Sequence, residues 1–428
     1  MRGRDQMTRP RQEKAFDIDK YVVLKAYKEA KANRGAPGID KQSISVFEMD
    51  LKNNLYQLWN RMASGSYFPA ATRYVEIDKS DGGKRILGIP TVKDRIAQGV
   101  AKAYIEPRLE EVFHEDSYGY RPNRSAHDAI EKARKRCWKY DWVIDLDIKA
   151  FFDTIDHELL LKAVSMHVSE PWIILYIKRW LKAPMQNKDG QLIDREQGLP
   201  QGGVISPILA NLFLHYAFDK WMVKNFPDAP FERYADDLLV HVKTKKRAEE
   251  ILEAIGQRMT QVKLELHPQK TKIVYCKDSN RKGEFEQIRF DFLGFTFAPR
   301  YARNKFKQQF NNFLPAASDK AVEEMGRELR RFRIHLQTGQ TIAELARLYN
   351  PVILGWINYY GRFYKSRLGQ LLRRINIYLI RWARKKYRRL SIRANAWKYL
   401  SQIAEREPNL WAHWSFGVIP KVGSLGAV

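Results

Sequence analysis

Apolar positions along this chain follow two rhythms, a period near 3.6 and a period of 2, and the order in which they alternate sets the expected architecture. Residues 17–33 carry Ile18, Tyr21, Val22 and Ala26 at helical spacing, and the pattern stops at Asn33-Arg34-Gly35-Ala36-Pro37-Gly38. A second helical stretch is expected from Val46 to Met62. Tyr74–Ile77 and Arg85–Ile89 then flank Asp81-Gly82-Gly83, a strong hairpin signal. Helical spacing returns from Val92 to Val112, and the polar loop Ser117–Ser125 leads to another helix through Ala133. Trp142–Asp153 begins as a strand with Val143, Asp145 and Asp147 on one face and Ile144, Leu146 and Ile148 on the other. Asp156 is a plausible N-cap for the helix after it. Gly198–Pro207 is a glycine-rich turn that launches an apolar helix expected to run through Trp221. Phe231–Val240 reads as strand, tight turn and strand, with Asp236 and Asp237 at the turn. A helix over Lys246–Met259, a strand ending in His267–Lys272 and a short strand Phe290–Phe297 complete the mixed region. Past about residue 300 only helices are expected. One opens on a capping box, Thr341-Ile-Ala-Glu344; another turns Leu368, Leu371, Leu372, Ile375, Leu379 and Trp382 inward. Strands and helices mix without strict alternation, so the class is α+β.

Composition changes this picture in one respect. The chain has 428 residues and 44% hydrophobic content, enough for a large core in about three domains or subdomains. Lys and Arg number 75 against 49 acids, a net charge of +26 with a pI near 9.8, which makes a polyanion the default partner. The charge is uneven. Residues 301–428 hold 24 Lys and Arg against 7 acids, interleaved with Trp and Tyr, as in a surface that grips phosphates and stacks bases. No apolar run approaches membrane-spanning length and the first residues lack a signal-peptide core, so no membrane and a cytoplasmic location are expected. Cys137 and Cys276 cannot make a disulfide framework or a thiolate zinc site, and are expected to be buried small apolars.

Candidate chemistry centres on the carboxylates. Adjacent acids inside strand-forming sequence repel each other and resist burial, which calls for a compensating cation. A third acid on another strand, Asp145 or Asp147, would complete a site, although period alone does not choose between them. Three strand-borne carboxylates, Asp147, Asp236 and Asp237, can hold two Mg²⁺ about 3.5–4 Å apart, one activating a 3′ hydroxyl and the other clamping a triphosphate. Hard oxygen ligands favour Mg²⁺ over zinc. Cations on the hairpin, Lys79 and Arg85, would hold the triphosphate if the hairpin overhangs the site. Arg121 and Arg124, with the tyrosines beside them, suit contacts to nucleic-acid backbone and bases.

At this point Tyr234-Ala-Asp-Asp237, Pro200-Gln-Gly-Gly203 and Asp147-Ile-Lys-Ala-Phe-Phe152, together in one chain, resemble the group II intron reverse transcriptases and maturases. The resemblance covers nearly all of the chain in the family's order, from Asn33–Asp40 to Asp291–Phe297. It implies a right-hand polymerase: fingers with the start of the palm over 1–140, palm over 141–300, and an all-helical thumb or X domain over 301–428. It implies that Asp147 and Asp236 are the main metal ligands with Asp237 beside them, leaving Asp145 structural. It further implies that Phe152 blocks a ribose 2′ hydroxyl, that Lys79 and Arg85 meet the incoming phosphates, and that Gln201 and Gly202 line the nucleotide pocket. The helical tail, with Pro351–Tyr360 and the cations Arg373, Arg374, Arg381, Arg384, Lys385 and Lys386, would grip RNA. The expected partners are intron RNA, an RNA template with a DNA or RNA primer, target DNA and deoxynucleotides. The expected role is copying RNA into DNA while supporting intron splicing and mobility. Alternatives are a domesticated relative in phage defence or a CRISPR locus, and a non-catalytic RNA-binding splicing factor, against which the intact acids argue. Longer members add a DNA-binding region and a Cys/His-rich endonuclease; the sequence to Val428 holds neither, so second-strand cleavage by this chain is not expected.

Overall fold

A computed structural model describes residues 14–78, 83–303 and 306–420, so Lys79 lies outside the described residues. Three helices open the chain: α1 (Lys20–Ala32), α2 (Ile44–Glu48) and α3 (Leu51–Ala63). The single helix expected from Val46 to Met62 is thus divided, because Asp50 takes a non-helical φ of −131° and ψ of 49°. The expected hairpin is β1 (Thr72–Asp78) and β2 (Lys84–Ile89), paired antiparallel from Arg73↔Ile89 to Asp78↔Lys84. Helices α4 (Val92–Glu110) and α5 (Ala126–Cys137) lead to β3 (Trp142–Asp147). Then come α6 (Phe151–Thr154), α7 (His157–Ser165) and α8 (Pro171–Lys182), with Asp156 capping α7 by accepting the Leu159 N–H at 2.9 Å. Short strands β4 (Met185–Gln186) and β5 (Leu192–Ile193) precede α9 (Ser206–Leu214). Instead of running unbroken to Trp221, that helix widens into a π-turn at His215–Asp219 before α10 (Lys220–Asn225).

Strands β6 (Phe231–Tyr234) and β7 (Asp237–Val242) form around the paired acids, and α11 (Lys245–Gln261) follows. The strand expected to end at Lys272 begins there instead, as β8 (Lys272–Tyr275); upstream, Leu266 makes only an isolated bridge to Ile148. The run Phe290–Phe297 is two strands rather than one. β9 (Phe290–Phe292) turns at Leu293 and Gly294, both left-handed with φ of 50° and 77°, into β10 (Phe295–Arg303). β11 (Gln309–Ala317) then pairs with β10 along its length, which corrects the expectation of helices alone past residue 300. Its small and aromatic residues Phe313, Ala316 and Ala317 are buried without a regular period, which apolar counting overlooks. Helices α12 (Asp319–Arg331), α13 (Ile342–Tyr360), α14 (Lys365–Lys386), α15 (Arg393–Arg406) and α16 (Ala412–Ser415) complete the chain, and the Thr341–Glu344 capping box is formed.

The chain divides into two compact units. The first takes residues 1–125, 146–238 and 249–271 and holds a sheet of order β2-β1-β4-β5. In it α1 and α4 approach closely at Gly99, where a Cβ would stand 3.0 Å from that of Ala26. The second unit, residues 126–145, 239–248 and 272–428, holds the sheet β11-β10-β9 and a helical core in which Leu345, Leu372, Ile375, Leu379 and Trp382 are fully buried. A further four-stranded sheet has the order β6-β7-β3-β8. Cys137 and Cys276 are buried free thiols, as expected. Among the described residues no helix is long and apolar enough to cross a membrane.

Candidate active site

All three acids singled out in the sequence fall in the first unit, at the ends of strands. Asp147 is the last residue of β3. Its carbonyl accepts the His267 N–H at 2.8 Å, and its carboxylate lies 3.5 Å from the Lys270 ammonium. Asp236 and Asp237 sit where β6 turns into β7, a turn made possible by Ala235 in the left-handed region at φ 56°. Alanine there lacks glycine's freedom, so surrounding structure must enforce the turn.

That enforcement is visible on two sides. Along the outer edge of β6, the Arg233 N–H donates to the Asp116 carbonyl at 2.9 Å and the Tyr118 N–H to the Arg233 carbonyl at 2.8 Å. The backbone of Gly119 then lies against the turn so closely that a Cβ would come within 2.4 Å of the Ala235 nitrogen, leaving room for glycine only. From beneath, the fully buried Arg233 guanidinium donates to both carboxylate oxygens of buried Asp219, at 2.7 and 2.6 Å, to Asn211 Oδ1 at 2.8 Å and to the Ala235 carbonyl at 3.3 Å. The π-turn supplies Asp219, as such insertions often do near functional sites. Asn211 also donates to the Gly119 carbonyl at 2.6 Å, tying the two supports together.

Burial, with Asp236 and Asp147 nearby, pushes the Asp237 carboxyl up to about 7, opposed by Lys270. Burial and Asp147 raise Asp236 as well, and Arg85 acts in the opposite direction. Asp237 as a residue is open to solvent although its carboxyl is crowded by protein atoms. Carboxylates held close enough to resist each other's ionisation call for a positive charge. Among the described residues, however, no three His, Cys, Asp or Glu side chains are gathered into a ready-made metal cluster. Asp236 and Asp237 are successive residues at a strand start, which faces them apart, and Lys270 supplies one positive charge to Asp147. The all-oxygen donors of Asp147, Asp236 and Asp237 are of the type that could hold a hard divalent cation.

The expected nucleotide-binding residues also converge. Arg85 Nε donates to Gln201 Oε1 at 2.5 Å, and Gln201 Nε2 donates to Asp153 Oδ1 at 3.1 Å. The Gln201 carbonyl accepts the Gly88 N–H at 2.9 Å, and Gly202, at φ 120°, lies so near that a Cβ would stand 3.0 Å from the Gly88 oxygen. Phe152 is buried, edge-on to Phe151 with centroids 5.4 Å apart, and its carbonyl accepts the Leu199 N–H at 2.6 Å. Arg85, Phe152, Gln201 and Gly202 therefore surround one turn, 198–203.

Three residues not singled out in the sequence bond into this arrangement: Lys270 beside Asp147, Asp153 with Gln201, and Arg233 with the Ala235 carbonyl. Lys270 lay within His267–Lys272, and only pairing of that segment with the end of β3 reveals its place. Arg121, expected to contact nucleic acid, is instead buried, paired with Glu110 at 2.9 Å and donating to the carbonyls of His114 and Ser117, so it shapes the loop. In the second unit, Arg373, Arg374, Arg381, Arg384 and Lys385 of α14 are exposed as expected. Lys386 differs: its ammonium is drawn to the carbonyls of Thr338 and Gln340, each at 2.8 Å.

Residues 77–297 match the model of the reverse transcriptase (RNA-dependent DNA polymerase) family, and residues 322–400 match that of the group II intron, maturase-specific domain. Protein YkfC of Escherichia coli (strain K12) is 34% identical over 58% of this chain and 75% of its own length. Group II intron-encoded protein LtrA of Lactococcus lactis subsp. cremoris is 32% identical over 48% of this chain and 34% of its own length, so the chain spans about a third of that relative. Telomerase from Candida albicans, solved with a fragment of telomeric RNA, aligns with a TM-score of 0.47 at 12% identity, covering 88% of this chain and 68% of that one.

Proposed function

Because this chain belongs to the reverse transcriptase family and carries a group II intron maturase-specific domain, we propose that its RNA-directed DNA polymerase works on group II intron RNA, supporting the splicing and mobility of that RNA. The observation that carries the catalytic half is the placement of Asp147 at the end of β3 and of Asp236 and Asp237 at the neighbouring β6–β7 turn, on a buried frame that fixes the turn. Reverse transcriptase chemistry depends on a divalent metal in general; two Mg²⁺ held by these acids would lower the pKa of a primer 3′ hydroxyl and offset charge on the triphosphate.

The chain's own residues would do the rest. Arg85, already oriented by Gln201, would grip the incoming phosphates bidentately, a role Lys79 would share. Gln201 and Gly202 would let the backbone approach the nucleotide, and Phe152 would stand where a ribose 2′ hydroxyl falls, favouring deoxynucleotides by exclusion. Arg373, Arg374, Arg381, Arg384 and Lys385 would hold RNA phosphates, with template, primer and target DNA as further partners. Lys386 is engaged with its own chain and contributes less than the sequence suggests.

The test is Asp236→Asn. It is expected to abolish primer extension on an RNA template while intron RNA binding stays within a few-fold of the parent. Normal extension would overturn the catalytic assignment, and a splicing assay with the purified intron RNA checks the maturase half separately.

A further inference from the structure

Most residues of the segment 116–121 are fixed by bonds already described. Asp116 and Tyr118 pair through backbone with Arg233, the Tyr118 hydroxyl donates to Asp116 Oδ1 at 2.9 Å, Asn211 holds the Gly119 carbonyl, and Arg121 is buried against Glu110. Between Gly119 and Arg121 stands Tyr120, with φ at 57° and its surface 49% exposed. A bulky aromatic residue in the left-handed region is sparsely populated, costs free energy and persists only where its surroundings enforce it. The neighbours on both sides already fix the segment by their own bonds.

The position explains what the ring faces. Gly119 touches the Tyr234–Ala235 backbone, one residue before Asp236, so the next residue in the chain is placed beside the catalytic turn. Burial and Asp236 raise the Tyr120 phenol while Arg85 acts in the opposite direction, which brings it within electrostatic reach of both the carboxylates and the cation assigned to the phosphates. A half-exposed aromatic ring within reach of those groups suits a base or base pair, because every base presents a π-face.

We propose that Tyr120 is a substrate-contacting residue whose ring forms the wall on which the terminal base pair of template and primer rests, holding the primer 3′ end in register with Asp236. This rests on Asp236 being a catalytic carboxylate. A wall of this kind is sensitive to shape: a matched pair lies flat against it and a mismatched pair does not. Its contribution is therefore greater for matched ends than for mismatched ones.

The experiment measures kcat/KM for extension from matched and mismatched primer ends on one RNA template, with the full chain carrying Tyr120→Ala, Tyr120→Leu or Tyr120→Phe. The Ala and Leu variants are expected to lose about tenfold on matched ends, the weight of one base–aromatic contact, and distinctly less on mismatched ends, so the matched-to-mismatched ratio falls. Tyr120→Phe is expected to keep the parent ratio. Melting temperatures identify any loss caused by folding. A ratio unchanged in both Ala and Leu variants would overturn the proposal, as would a Phe variant as impaired as Ala. Asp236→Asn run alongside separates the two layers: if it extends primers normally, the catalytic assignment fails, whereas a Tyr120 failure with Asp236→Asn inactive leaves that assignment standing.

Discussion

Arg233→Met should reveal how much of the fold rests on the ion pair beneath the β6–β7 turn. Methionine keeps most of the side chain's length and loses its charge. Arg233 and Asp219 are both 0% exposed, so the substitution strands a carboxylate in the core with both oxygens deprived of donors, and leaves Asn211 Oδ1 and the Ala235 carbonyl without this partner. Breaking one side of a buried pair typically costs about 3–5 kcal/mol, a large part of the roughly 5–15 kcal/mol that holds a domain folded. His215, 3.9 Å from Asp219, cannot take over at neutral pH, because burial lowers its pKa to about 4. Urea denaturation of parent and variant gives the difference from the shift in midpoint at constant slope. Removing the stranded charge as well, in the double variant Asp219→Leu with Arg233→Met, is expected to recover most of the loss, since apolar residues of similar volume replace buried pairs at little net cost. Primer extension should remain depressed in the double variant, because the Ala235 carbonyl has lost its anchor. A single variant within about 1 kcal/mol of the parent, or a double variant less stable than the single, would refute this account.

Other outcomes follow from the same structure. Phe152→Val is expected to raise ribonucleotide incorporation relative to deoxynucleotide, read as a ratio of kcat/KM values; an unchanged ratio makes Phe152 core alone. Neutralising Arg381, Arg384 and Lys385 should flatten the log–log salt dependence of RNA binding by about 2–3 units, whereas Lys386→Gln should leave the slope alone. In the metal-free protein, Asp237 has a folded pKa near 7 against an ordinary 3.8, so its ionisation costs stability as pH rises between those values. Asp237→Asn should therefore raise the melting temperature at pH 8 and leave it unchanged near pH 3, and a fall at pH 8 would contradict the assigned crowding. His413 is buried with its pKa lowered from 6.5 to about 3, so stability should decline as pH falls below about 6.5, and His413→Phe should shallow that decline in a pH series of thermal melts.

The site was more legible in the sequence than its support. Paired acids between apolar runs, a third acid closing a strand and a glycine-rich turn are local patterns, and each formed where its pattern lay. Arg233 looked like an ordinary strand cation, since nothing local shows that it meets a carboxylate 14 positions earlier on a π-turn. Tyr120 sat in a loop noted only for its mixture of Arg and Tyr. Strand β11 was missed because Gln309–Ala317 is too polar at one end and too small at the other for alternation to stand out. Lys386 was assigned to the outer face by helical period, which places its Cα correctly while its long stem carries the ammonium to two carbonyls.

For the proposed role of Arg85, its bond to Gln201 also bears on how a nucleotide would enter. An arginine side chain free in solvent holds roughly 2 kcal/mol of rotamer entropy, and here Gln201, itself tethered to Asp153, has already removed part of that freedom. In the proposed role the polar chain would act as a resident substitute for the triphosphate, keeping the guanidinium aimed and surrendering it by exchange of one hydrogen bond for a charged pair. Entry would then be a swap of partners rather than the ordering of a loose side chain, and the released Gln201 amide would face the nucleotide that displaced it.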